Sequence, residues 1–131
     1  MDAAAYVSAL QGRPWTTTNH CWALVLEVQR DLFGRVLPPF LIDGRLTARE
    51  LVAAFHGHEE RRNWRQVAVP SDGAVVLMHR PGSPSRAIHA GVYLALEGGG
   101  VLHADEQAGV TFDGSADLLV RGWRAEFFLP L

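Results

Sequence analysis

Cysteine is nearly absent. The chain of 131 residues has one, Cys21, so no intrachain disulfide can form and nothing requires an oxidising compartment. A surplus of either charge is missing too: 12 Lys+Arg against 14 Asp+Glu leave a net charge of −2, scattered along the chain. That gives no electrostatic case for binding nucleic acid or an anionic membrane surface. No apolar run is long enough to cross a bilayer. The first residues, Met1-Asp2-Ala3-Ala4-Ala5-Tyr6, lack the basic start and long apolar stretch of a signal peptide. The expectation is a protein made in the cytoplasm, which something else must carry if it acts outside its cell. Repeats, low-complexity tracts and linkers are not found.

What is present is core material. Hydrophobic residues make up 48% of the chain, which fits a single domain over residues 1–131. Asp2 to Leu10 has helical character, with Asp2 as cap and Tyr6, Val7 and Leu10 on one face. A second helix is expected from Asn19 or His20 to about Phe33, stopped by Gly34, with Asn19 as its cap. Pro38-Pro39 forces an extended passage, and Thr47-Ala48-Arg49-Glu50 is a capping box for a helix carrying Leu51, Val52, Ala54 and Phe55. Beyond Trp64 the pattern changes to strands: Gln66–Val69 alternates weakly, and strands are expected at Ala74–Met78, Ala87–Leu96, Val101–Ala104, Gly109–Phe112 and in a closing run from Trp123 to Leu129. Turn residues separate them, and Ser115 to Val120 reads as a short helical turn. Helices first and antiparallel hairpins second predict an α+β domain, the helices packed on a C-terminal antiparallel sheet of about five strands.

One stretch carries chemical promise: Gly12-Arg13-Pro14-Trp15-Thr16-Thr17-Thr18-Asn19-His20-Cys21-Trp22. It reads as an irregular loop dropping into a mostly apolar, and therefore buried, helix. Cys21 falls in that helix's first turn, where unsatisfied N–H groups and the positive end of the macrodipole favour an anion. A thiol there tends toward thiolate, the nucleophilic form. Equally, a lone cysteine at a helix start is often a small, inert hydrophobe.

The hairpin about Gly98-Gly99-Gly100 adds two imidazoles. His89 precedes the turn and His103 follows it, on adjacent antiparallel strands about one residue out of register, and the two side chains could meet if both point to one face. A buried helix packed on that sheet could bring Cys21 to His89, giving a thiol, an imidazole and a third polar group that orients the imidazole. The glycines make a turn and no phosphate loop, because no Lys-Ser/Thr follows them. A zinc site drawn from His20, Cys21, His56, His58, His89 and His103 is chemically conceivable, but no paired ligand spacing supports it. His56 and His58 sit in a charged, exposed stretch. Trp15 and Trp22 flank the cysteine and could line a cleft, although tryptophans more often belong to a core.

Three segments together resemble the NlpC/P60 cysteine peptidases of the papain-like superfamily. They are Gly12-Arg13-Pro14-Trp15 running into His20-Cys21-Trp22-Ala23-Leu24-Val25; Asp72-Gly73-Ala74-Val75-Val76-Leu77 followed by His89-Ala90-Gly91-Val92-Tyr93-Leu94; and Val101-Leu102-His103-Ala104. The general look is closest to compact domains of phage tails and prophage-like clusters. The resemblance implies a papain-like fold and hydrolysis of amide bonds in peptidoglycan stem peptides, with no metal or cofactor. It makes Cys21 the nucleophile, His89 the general base and His103 the residue orienting His89, with the Cys21 backbone N–H in the oxyanion hole. Trp15, His20 and Trp22 would then contact substrate. It further implies phage-type tail proteins as partners and delivery by a phage or gene-transfer particle. The chain departs from the family pattern at His20, where Asp is usual, at Ala23, where Gly is usual, and at Trp15, where Tyr is common. Two other functions stand beside the hydrolase: a structural or binding module that kept the fold and lost the reaction, and a different acyl or amide hydrolase on the same residues.

Overall fold

A computed structural model describes residues 2–37, 62–82 and 89–131. The expected Pro38-Pro39 passage, the Thr47–Glu50 capping box with its helix, His56, His58 and the first residues of the Ala87–Leu96 strand lie outside these. In chain order the elements are α1 (Ala3–Leu10), α2 (Cys21–Phe33), β1 (Trp64–Val67), β2 (Val75–His79), β3 (His89–Leu94), β4 (Gly100–Asp105), β5 (Gly109–Asp113), α3 (Ser115–Val120) and β6 (Arg124–Pro130).

Local chemistry explains the helix ends. Asp2 caps α1 by accepting the Ala4 N–H at 3.0 Å. Gly34 ends α2 in the left-handed region (φ 63°), and its N–H returns to the Arg30 carbonyl. The N-cap of α2 is His20, however, one residue after the expected Asn19: its extended backbone enters the helix and its Nδ1 accepts the Ala23 N–H at 3.3 Å. Asn19 is held instead in a turn, its N–H donating to the Thr16 hydroxyl. An imidazole can cap where an amide was expected because any acceptor of the right reach satisfies the orphan N–H.

The α+β class holds, with short helices and one open antiparallel sheet, which has six strands where about five were expected. Their order is β1-β6-β2-β3-β4-β5, so the closing strand inserts between β1 and β2. Strand alternation gives the sheet two unlike faces. Val75, Leu77, Ala90, Val92, Leu94, Leu102, Ala104, Val110 and Phe128 join Trp22, Leu24, Val25 and Val28 of α2 in the larger core. Val76, Met78 and Val101 meet Leu118 of α3 and Trp123 in a smaller core on the other face. Each large apolar side chain fully buried contributes about 1.5–3 kcal/mol, so the α2 face dominates stability. Tyr6 ties α1 to α2 by donating to Asp31 at 2.8 Å. No helix among the described residues is long and apolar enough to cross a membrane.

Candidate active site

The loop that delivers Cys21 is fastened on two sides. Arg13 makes a two-pronged ion pair with Glu27 of α2, at 2.8 and 3.2 Å. Its backbone also joins the free edge of the sheet, where Gly12 N–H donates to the Val110 carbonyl and Val110 N–H to the Arg13 carbonyl. Gly109 makes that approach possible, since a Cβ there would lie 2.5 Å from the Arg13 carbonyl oxygen.

Cys21 opens α2 and is 6% exposed. Its sulfur lies within hydrogen-bonding reach of the backbone N–H of Ala90, and of its own and the Trp22 N–H. The Ala90 N–H belongs to the peptide joining His89 to Ala90, so the thiol rests against the backbone of the expected base. The strand pairing explains how it gets there. The β3–β4 ladder stops at Gly91↔His103, whereas β4 goes on pairing with β5 as far as Asp105↔Gly109. β3 and β4 therefore fork beyond Gly91, and the sulfur takes the Ala90 N–H that a further rung would have used. This corrects the expected geometry, in which helix and histidines share a face. α2 packs on the Ala90 face, while His89 alternates to the opposite one, where its ring meets His103 and Trp123.

The thiol itself also differs from expectation. Burial pushes it up to about 11, and the three backbone N–H groups only partly offset this, so the resting group is a neutral thiol. The helix terminus favours an anion, but desolvation wins.

On the far face His89, His103 and Asp113 form a connected line. His89 Nε2 lies 2.9 Å from His103 Nδ1, and His103 Nε2 lies 2.7 Å from Asp113 Oδ2. Asp113 also accepts from Arg121 Nε and from the Thr111 hydroxyl at 3.2 Å. The line is a diagonal across three strands. His103 is directly opposite Gly91 on one side and Thr111 on the other, while His89 and Asp113 each stand two residues beyond those partners. The expected offset of one residue is thus two, which keeps both rings on one face; an odd offset would have separated them. Gly91 leaves the space, because a Cβ there would lie 3.1 Å from His103 Cβ and 2.8 Å from Val101 Cγ1.

Trp123 stacks on His89 at 4.8 Å between ring centres, and the Arg80 guanidinium lies over the Trp123 ring at 3.7 Å from its centre. Burial first, then the neighbouring His103, lowers His89 to about 3; Asp105 opposes and Arg80 adds to the shift. His89 is therefore a neutral imidazole at pH 7. Burial works against the charge of Asp113, but His103 and Arg121 outweigh it and hold the carboxyl below its ordinary range.

Sequence reasoning singled out Cys21, His89 and His103, and the structure brings these three to the fork between β3 and β4. Of the three residues expected to touch substrate, Trp22 and His20 are only 1% and 2% exposed, one in the larger core and one as helix cap. Trp15 is half-buried against that core. Asp113 has no expected role: with Gly114 it reads only as the boundary of the Gly109–Phe112 strand. The signal was present in Thr111-Phe112-Asp113: alternation puts Asp113 on the face of Thr111, and Thr111 is the partner of His103. Among the described residues no group of three or more His, Cys, Asp or Glu is arranged to hold a metal ion. No known family model matches the chain, and no curated protein does.

Proposed function

We propose that the protein is a cysteine-dependent amide hydrolase of the NlpC/P60 type, with the papain-like fold, acting on peptidoglycan stem peptides and carried by a phage-type tail or similar particle. The observation that carries the reading is the thiol of Cys21 seated on the His89–Ala90 peptide, with His89 held in turn by His103. A thiol, an imidazole and an orienting group are the parts nucleophilic acyl transfer needs. The three segments that resemble the family supply those three groups in chain order.

In this reading the sulfur attacks the amide carbonyl carbon while its proton passes to His89. The carbonyl oxygen gains negative charge beside the backbone N–H groups at the mouth of α2, a place suited to it. The C–N bond breaks as His89 returns the proton to the leaving amine, leaving a thioester on Cys21. Water then attacks the thioester and gives a proton to His89. The acid leaves, and the proton returns to the sulfur. Because both groups rest neutral, the proton moves as attack occurs, so His89 acts as a general base.

The test is incubation with purified muropeptides, following new amino termini by mass spectrometry. Wild type is expected to cleave, and Cys21→Ala to lose at least about 10³-fold in rate. A folded wild type that cuts no muropeptide would overturn the reading. The burial of Cys21 and the suppression of its ionisation favour one alternative, a tail module that kept the fold and lost the reaction. Particles bearing Cys21→Ala that assemble and infect normally would speak for that module.

A further inference from the structure

We propose that Asp113 is a positioning residue that sets the proton positions of both histidines and so leaves the His89 Nδ1 lone pair free for the thiol proton. The role of the lone pair rests on the hydrolase reading; the lock on the rings does not. An ionised carboxylate can only accept hydrogen bonds. Asp113 Oδ2 lies 2.7 Å from His103 Nε2, so that nitrogen carries a proton. In the proposed lock His103 is the neutral ring, which has one N–H, so its Nδ1 is an acceptor. His89 Nε2 lies 2.9 Å from it and must donate. His89 Nδ1 is then left unprotonated. Each ring is fixed by the one before it, and Asp113 begins the sequence.

The carboxylate is itself fixed. Arg121, just after α3, donates to Oδ2 through Nε, and Thr111 donates to Oδ1. His103 is fully buried and Asp113 is 4% exposed, so water is poorly placed to substitute. Without the carboxylate His103 could turn its proton to Nδ1. His89 would then have to accept at Nε2 and carry its own proton on Nδ1, where the thiol proton is meant to go. A buried imidazole with the wrong proton position is as ineffective as an absent one.

Ring ¹⁵N NMR of histidine-labelled protein at neutral pH reads proton positions without any catalysis. Wild type is expected to show protonated Nε2 and bare Nδ1 at both His89 and His103. Asp113→Ala should lose that single pattern at both rings. Asp113→Asn should keep it, because the amide oxygen can accept the same proton beside Arg121. In muropeptide cleavage Asp113→Ala should lose about 10–100-fold in kcat, the size typical of residues that orient a reacting group through another, with KM little changed. Wild type with a proton on Nδ1 of either ring, or folded Asp113→Ala with an unchanged pattern, would overturn the proposal. Should Asp113→Ala not fold, the wild-type and Asp113→Asn spectra decide the matter. Correct proton positions with no cleavage by any form would sink the hydrolase and leave the lock standing.

Discussion

The two faces of the sheet are built on different principles. The α2 face is apolar throughout its centre, and its interior holds one reactive group, the Cys21 thiol, which burial keeps neutral. The α3 face has a much smaller apolar cluster, and through it runs a polar line from His89 to Arg121 in which each histidine, carboxylate and guanidinium has a partner. One face supplies most of the stability; the other spends packing on orientation. Buried polar groups satisfied in series specify a unique arrangement more than they stabilise it. The fork beyond Gly91 is where the products of the two designs meet. In the proposed hydrolase the nucleophile needs little beyond a dry seat at a helix mouth, whereas the base needs its ring and its proton fixed.

The comparison would break if core variants on either face acted alike. Leu94 is at the opposite end of β3 from His89 and 1% exposed in the larger core. Leu94→Ala is expected to cost about 2–5 kcal/mol in denaturant unfolding, as large-to-small core changes do. Cleavage per folded molecule should stay near wild type. A variant that lost activity at full stability would show that the apolar face also tunes the site.

Gly91→Ala should do the converse. Its Cβ would fall 2.7 Å from the Leu102 carbonyl oxygen and press on His103. Overpacking of this kind costs about 1–3 kcal/mol. Activity should fall further than the folded fraction does, because His103 must shift to admit the methyl group and its contact with His89 lengthens. Equal losses in activity and folded fraction would reduce Gly91 to a packing residue.

Much of this was legible in the sequence, for reasons that differ by element. Helix starts, the Gly34 stop and the β3–β4 hairpin are local signals: a cap, a left-handed glycine, alternating β-branched residues about a glycine turn. Cys21, His89 and His103 could be picked out because their residue types are rare and chemically specific. The insertion of β6 between β1 and β2 had no such signal, since Phe127 and Phe128 fit any strand neighbours equally well and only the assembled sheet selects among them. The face on which α2 packs was hidden likewise, being decided by the apolar bulk of Ala90, Val92 and Leu94. The resemblance sets His20 against substrate, yet the ring is 2% exposed and its Nδ1 caps α2. Asp113 was missed because an Asp-Gly pair after a strand reads as a turn, and that local reading outranked a long-range partner ten residues earlier.

The sharpest remaining contrast between the faces lies in how stability varies with pH, because each face governs one end of the curve. The thiol of Cys21 ionises near 9.0 in an open chain and is pushed up to about 11 by burial. Between those values the unfolded chain releases a proton that the native state keeps. Stability therefore falls as pH rises there, by about 1.4 kcal/mol per pH unit. The opposite face works at the acid end. His89 is lowered from 6.5 to about 3, so in that window the unfolded chain gains a proton the native ring refuses, and stability falls as pH drops. Asp113, held below the ordinary carboxylate range, extends the loss further into acid. Other groups titrate in the same ranges, Tyr6 at the alkaline end among them, so the measurement is a difference between urea unfolding curves of wild type and variant. Cys21→Ala should remove about one proton's worth of slope above pH 9 and leave the acid limb alone. His89→Ala should flatten the curve below pH 6 and leave the alkaline limb alone. If either substitution moved both limbs, thiol and imidazole would already share a proton at rest, and the two faces would titrate as one coupled site.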